Sequence, residues 1–183
     1  MALPPNGLLA DPARLAVWLG LPADDPQLLA ALAAASARFR AAVRHPVSHV
    51  TDDTVRLYGD GTDRLHLPAA PITAITSVTV DGTPVTDWRL RADIGVLRRT
   101  SPCGWPEWAE VDVVYDHGYD PIPDDVQEAV VDQARTIHTV QPGVQTLQAG
   151  GESVTFGAAA ATGVTAQWTT AVENYQLHHG DRT

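Results

Sequence analysis

The sequence predicts an α+β fold: a small helical bundle with an inserted antiparallel β subdomain and a flexible C-terminal arm ending in a helix. Three observations predict it. Two Asp-Pro pairs, Asp11-Pro12 and Asp25-Pro26, each open a stretch of helical periodicity. Between about residues 47 and 119 that periodicity gives way to short β-branched runs punctuated by turn residues. After Pro121 and Pro123 the helical spacing returns. Helices and strands in consecutive blocks, rather than in alternation, indicate α+β and not a wound parallel sheet. The expected order is an N-terminal helix pair over 1–46, a β-rich insertion over 47–120, a core helix over 121–142, and the arm and closing helix over 143–183, all in a single domain.

The elements follow in chain order. Asp11 is a good N-cap with Pro12 at the first helical position. Leu15, Trp18 and Leu19 come at helical spacing, and Gly20 supplies a left-handed C-cap. Asp25-Pro26 repeats the start signal, and Leu28, Leu29, Leu32, Phe39 and Val43 mark one face of an Ala-rich helix that runs to about Arg44 before Pro46. Val47–Val50 and Thr54–Tyr58 read as two short strands around Asp52-Asp53, and Gly59 to Asp63 as a turn into Arg64–Leu67. Ile72–Val80 is rich in β-branched residues, and Asp81-Gly82 is a hairpin signal leading into Val85–Leu90. Gly95–Arg99 and Val111–Tyr115 complete the strands. Asp124 or Asp125 caps the next helix, with Val126, Ala129, Val130, Ala134 and Ile137 as its apolar stripe and Gln141-Pro142-Gly143 as its end. Residues 143–163, rich in Gly, Ala and Thr, read as a flexible arm with one β-like piece at Ser153–Phe156. A final helix is expected over Thr165–Leu177.

Composition restricts function. All 12 basic residues are arginine, lysine being absent, and the net charge is −10. Residues 51–120 carry twelve acids against six arginines. Such a chain is a poor counter-ion for a phosphate backbone. One cysteine, Cys103, excludes an internal disulfide framework. No apolar run reaches membrane length and no secretory leader is recognisable, so assembly in a reducing cytoplasm is expected.

A search for chemistry finds little. Asp60-Gly61-Thr62-Asp63 lacks the later acidic ligands of a calcium loop and reads as turn chemistry. Asp116 and His117 are strand neighbours and face opposite ways. His178-His179 has no further ligands nearby, and Cys103 has no companion at metal spacing. There is no phosphate loop and no nucleophile elbow. No catalytic residue, cofactor or metal site is expected, which favours an interaction protein over an enzyme.

One pattern runs through the β region. Leu67-Pro68 and Pro71-Ile72-Thr73 lead into Ser77-Val78-Thr79-Val80-Asp81-Gly82. Trp88, Gly95-Val96-Leu97-Arg98 and Trp105 follow, then Val111-Asp112-Val113-Val114-Tyr115-Asp116-His117-Gly118-Tyr119, and Pro123-Asp124-Asp125-Val126 opens a helix. In this order the segments resemble the head-to-tail connector (adaptor) proteins of tailed bacteriophages, particularly those of actinobacterial phages. The resemblance implies a homo-oligomeric ring, commonly of twelve subunits, beneath the portal protein. Such a ring extends the channel for double-stranded DNA and offers the stopper or tail-terminator protein a surface. It implies a virion location, with the arm ordering against the portal or a neighbouring subunit. Within that frame Trp105, Trp108, Tyr119, Phe156, Trp168 and Tyr175 are interface candidates, and Asp60 and Asp63 are candidate channel-facing acids. Alternatives are a tail-terminator or stopper subunit, a small acidic hydrolase using Asp116 or His117, and a carbohydrate-binding module stacking sugars on Trp88, Trp105 and Trp108.

Overall fold

The computed structural model describes residues 7–139, 146–149, 152–155 and 165–177. They fall into two units, a helical one drawn from Met1–Arg44 and Ile122–Gln176 and a β-rich one drawn mainly from His45–Pro121. The fold is mixed α and β, with antiparallel sheets, as the block pattern predicts.

In the helical unit, α1 (Pro12–Leu19) starts at Asp11, whose carboxylate accepts the Ala13 N–H, and ends at Gly20 with φ 65°. α2 (Pro26–Val43) starts at Asp25, which accepts the N–H groups of Gln27 and Leu28, and ends at Arg44, held at φ 65°. Both starts use the same logic: the carboxylate satisfies amides that no helical carbonyl reaches, and proline has no amide to satisfy. α3 (Asp124–Thr139) and α4 (Ala166–Tyr175, capped by the Thr165 hydroxyl) complete the bundle. α2 packs on α1, α3 and α4, and α3 also meets α1 and α4. Leu15, Leu28, Leu32, Phe39, Val130 and Trp168 supply buried side chains from all four helices. The buried Ser36 is satisfied in two directions, accepting the Leu9 N–H at 3.1 Å and donating to the Leu32 carbonyl at 2.7 Å.

The β-rich unit has two sheets. The strands are β1 (Val50–Tyr58), β2 (Arg64–His66), β3 (Ile72–Val80), β4 (Thr83–Pro84), β5 (Trp88–Arg91), β6 (Val96–Arg99) and β7 (Glu110–His117). One sheet has the order β1-β7-β3-β4 and the other β2-β6-β5. Their inner faces share one core: Leu65 and Leu97 from the smaller sheet, Val78, Val111, Val113 and Tyr115 from the larger, and Trp105 from a loop. β7 is central, pairing with both β1 and β3, and alternates strictly between buried and less buried residues.

Three expectations change here. Of the two strands predicted around Asp52-Asp53, Val47–His49 is not strand, Ser48 forming only an isolated bridge with Tyr119, and Val50 joins Thr54–Tyr58 in one strand with a bulge: Asp52 adopts φ 51°, its N–H donates to Asp116 Oδ1 at 2.8 Å, and the register shifts between Val50 and Asp53. Of the strand predicted at Val85–Leu90, Val85–Asp87 is not strand and only Trp88–Leu90 is, so the stretch after Asp81-Gly82 serves both sheets. Thr83–Pro84 pairs with β3, while Trp88–Arg91 pairs with β6 in the other sheet. In the arm, the single expected β-like piece is a two-stranded hairpin, β8 (Thr146–Ala149) with β9 (Glu152–Thr155). The rest of the predicted flexible arm, Phe156 included, lies outside the described residues.

Candidate interaction surfaces

The loop from Ser101 to Ala109 decides the fate of two tryptophans. It is bolted to the turn at Gly59–Thr62 through backbone hydrogen bonds. The Gly61 N–H donates to the Trp105 carbonyl at 2.9 Å, the Trp105 N–H to Thr62 at 2.7 Å, and the Trp108 N–H to Gly59 at 2.8 Å. Two glycines allow this approach. A Cβ at Gly104, which has φ 62°, would lie 2.5 Å from the Thr62 carbonyl oxygen, and one at Gly59 would lie 2.0 Å from that of Pro106.

Trp105 points inward from this loop and is fully buried. Its indole N–H donates to the Leu97 carbonyl at 3.3 Å, and the Arg99 guanidinium lies over its ring at 5.3 Å. The expectation that Trp105 offers an interface is therefore corrected: its own subunit's sheets have claimed it, because an indole that satisfies its N–H can remain in a core. Trp108 points outward. It is 78% exposed and sits at φ 63°. A left-handed conformation costs a bulky residue about 1–2 kcal/mol, and exposure of the indole forgoes its burial. Among the described residues its indole makes no hydrogen bond and no ring contact that offsets either cost.

The other interface candidates divide in the same way. Trp168 is buried in the helical unit, edge-on to Phe39 with ring centroids 5.3 Å apart, so it holds α4 and is not a free surface. Tyr175 is half-buried and donates from its hydroxyl to Asp125 Oδ1 at 2.9 Å. Tyr119 is half-buried, and its backbone forms an isolated bridge with Ser48.

The helical unit has an exposed apolar patch that sequence reasoning missed. Val17 is 83% and Trp18 68% exposed, and with Val131, Arg14, Glu128, Asp132 and Gln167 they line a shallow depression. Arg135 lies over the Trp18 ring at 4.9 Å. The expected spacing put Trp18 on one face with Leu15, yet only Leu15 is buried. The signal was available: Val17 and Trp18 are consecutive, so they cannot both share Leu15's stripe on a helix of eight residues.

The two candidate acids differ. Asp60 is exposed, and hydrogen bonds from the Thr62 hydroxyl at 2.7 Å and the Thr62 N–H at 2.9 Å hold its pKa below the usual carboxylate value. Asp63 is not a bare acid: it pairs with Arg98 at 2.6 Å and Arg64 at 3.8 Å, so its charge is locally compensated where that of Asp60 is not paired with a cation among the described residues.

Asp116 and His117, the residues of the hydrolase alternative, do not come together as an acid–base pair. His117 is fully buried, and its Nε2 meets Asp53 Oδ2 at 3.1 Å rather than Asp116. The Tyr115 ring lies 4.9 Å from the imidazole, and burial, with Asp53 second, raises the pKa of the phenol. No substrate reaches a histidine with no exposed surface. Among the described residues no group of three or more His, Cys, Asp or Glu could hold a metal ion, and no helix is long and apolar enough to cross a membrane. Of the three sugar-stacking candidates, Trp105 is buried, Trp88 is half-buried against the same core with its indole N–H donating to the Val85 carbonyl, and Trp108 is exposed.

Comparison with known proteins gives a consistent set of similarities. The chain resembles a protein in the solved "Neck of native GTA particle computed with C12 symmetry", at 21% identity and a TM-score of 0.56, covering 98% of this chain and 94% of that one. A chain of the "Virion of native gene transfer agent (GTA) particle" matches at 18% identity and a TM-score of 0.61 over the same shares. A third, from the "Neck of empty GTA particle computed with C6 symmetry", matches at 20% identity and a TM-score of 0.58. These likenesses establish a shared fold. No curated protein matches. The family model described as "HCP: Head completion protein" matches residues 16–177, which span both units, and the chain belongs to the head completion protein family.

Proposed function

We propose that the chain is a structural neck protein of a tailed, phage-like particle: a head-to-tail connector (adaptor) whose copies close into a ring beneath the portal. The ring extends the channel for double-stranded DNA and gives the stopper or tail-terminator protein its docking surface. The subunit works by binding, without catalysis, in the virion neck, after assembly in the host cytoplasm. The observation that carries this reading is the head completion match over residues 16–177, supported by the neck-protein fold shared over 98% of the chain. Twelve subunits are the expected number, following the C12 symmetry of the matched neck. A complement of arginine without lysine supports the actinobacterial type.

Exposed apolar surface is the physical counterpart of that role. Among the described residues, Val17 with Trp18 on the helical unit and Trp108 on the β-rich unit are the most exposed large hydrophobic side chains. A ring subunit needs unlike surfaces that meet head to tail. The test is electron microscopy of the full chain mixed with its cognate portal protein. The expected image is a ring stacked coaxially on the portal. A chain that ignores the portal and caps isolated tail tubes would instead establish the tail-terminator reading.

A further inference from the structure

The outer face of the smaller sheet carries charge of one sign. Arg64 on β2, Arg98 on β6 and Arg89 on β5 stand directly opposite one another across three adjacent strands. Arg91 lies one step along, opposite Val96, with His66 on Val96's other side. Like charges in direct cross-strand register destabilise a sheet. These four arginines are most of the six found between residues 51 and 120, in a chain whose net charge is −10. With His66, Leu90, Ile94 and Val96 they line a concavity of about 410 Å³.

The local charge is only partly offset. Asp63 takes Arg98 and Arg64, and Asp93 takes Arg91 at 3.5 Å. Arg89 has no ion pair among the described residues. Four arginines against two carboxylates leave a local excess of two positive charges. That is too small for a duplex, whose affinity is built from many phosphate contacts, each changing the salt slope by about 0.9. A duplex is also a convex rod that touches rims, whereas this site is concave and exposes the apolar Ile94 inside an arginine rim. The chemistry that fits is a carboxylate beside an apolar group.

The β-rich unit presents that combination elsewhere on its own surface. Glu107 is exposed and has no ion pair among the described residues; its neighbour Trp108 is the outward indole held on a backbone-locked turn. No residue of the Ser101–Ala109 loop lines the arginine concavity. We propose that the Glu107–Trp108 loop of one copy docks in the arginine-rimmed concavity of the next copy, an inference that rests on the ring reading above. The Trp108 indole covers Ile94 and stacks on a guanidinium, while the Glu107 carboxylate takes Arg89. Because loop and concavity are different surfaces, the contact is heterologous, the kind that closes a ring when the rotation between copies completes a circle.

The experiment uses the full chain with its cognate portal protein, read by electron microscopy and sedimentation. Both Arg89→Glu and Glu107→Arg change exposed side chains, and unchanged thermal melts confirm that the variants fold. Each single variant is expected to raise the subunit concentration needed for ring formation by about tenfold, as breaking an interfacial charge pair does. The double variant, with the charges exchanged, should recover most of that loss. Single variants that assemble like the wild type overturn the proposal and leave the ring reading intact. Singles that fail without recovery in the double also overturn it, and assign the concavity to another acidic partner. If Arg89→Glu leaves rings intact but releases duplex DNA from portal-bound rings, the site belongs to DNA and the proposal falls. A wild-type chain that forms no ring on its portal removes the ring reading, and the docking contact with it.

Discussion

Trp105 and Trp108 lie three residues apart, and what separates them is the backbone between them. Trp105 fills the space between the two sheets with its N–H satisfied by Leu97, so Trp105→Ala opens a cavity and should cost about 3–5 kcal/mol of unfolding free energy. Trp108→Ala removes an exposed ring and should change the stability of the isolated subunit by no more than about 0.5 kcal/mol. Urea unfolding of both variants checks the pair, and a large loss for Trp108→Ala would place its indole in the core. Sequence could not tell them apart, because the loop has neither helical nor strand periodicity to assign a side. The deciding information is the close approach at Gly59 and Gly104, which depends on residues distant in the chain. Asp60 offers a test at single-proton level. Its depressed pKa means that the unfolded chain binds the proton first as pH falls. The contribution of this carboxylate is therefore complete above the ordinary aspartate value of 3.8 and is lost as pH drops through the lower folded value. Thr62→Val removes the largest of the causes, the hydroxyl hydrogen bond, so the Asp60 pKa should rise toward 3.8 in an NMR titration of side-chain carboxyls. An unmoved titration would mean that the Thr62 N–H and the turn alone set it.

Among the elements, those with strong local signals were legible and those decided by partner strands were not. Both Asp-Pro helix starts, Gly20, and the periodic face of α3 are local features, and each is where its residues put it. Asp52-Asp53 looks like an interruption in sequence, yet β7 runs past it unbroken and the chain accommodates the extra residue as a bulge. The stretch after Asp81-Gly82 starts the hairpin its turn promises, but Trp88–Arg91 is claimed by β6, a competition invisible to local propensity. The β8–β9 hairpin did have a signal, Gly150-Gly151 between Thr146–Ala149 and Glu152–Thr155, which the low-complexity composition of the arm obscured. α4 shows how an element depends on tertiary anchoring. Ten residues are too few for a stable isolated helix in water, so α4 relies on Trp168 against Phe39, with Ala171 buried beside it. Trp168→Ala should therefore release the helix before the bundle melts. Hydrogen exchange would show loss of protection across Ala166–Tyr175 while α2 and α3 stay protected; uniform loss would mean that α4 and the bundle form one cooperative unit.

For the whole molecule the dominant fact is a net charge of −10 on a chain read as a ring subunit. Neighbouring copies repel through solvent, while the contact proposed between Glu107 and Arg89 acts at short range. The two respond differently to salt. The Debye length is about 30 Å at 0.01 M and about 8 Å at 0.15 M, so moderate salt removes subunit-to-subunit repulsion and leaves a contact pair largely intact. Ring formation, alone or on the portal, should accordingly be favoured at about 0.15 M over about 0.01 M. Arg89→Glu makes each subunit more negative by two charges as well as breaking the contact, so its defect should be deepest at the lower salt. Sedimentation of wild type and variant at the two salt concentrations measures both terms. If wild-type assembly weakens as salt rises, attraction between complementary charged patches governs the ring and self-repulsion is minor. If it strengthens, the acidic surface works against assembly, and the exposed indoles of Trp18 and Trp108 are the apolar contacts with which a ring would overcome it.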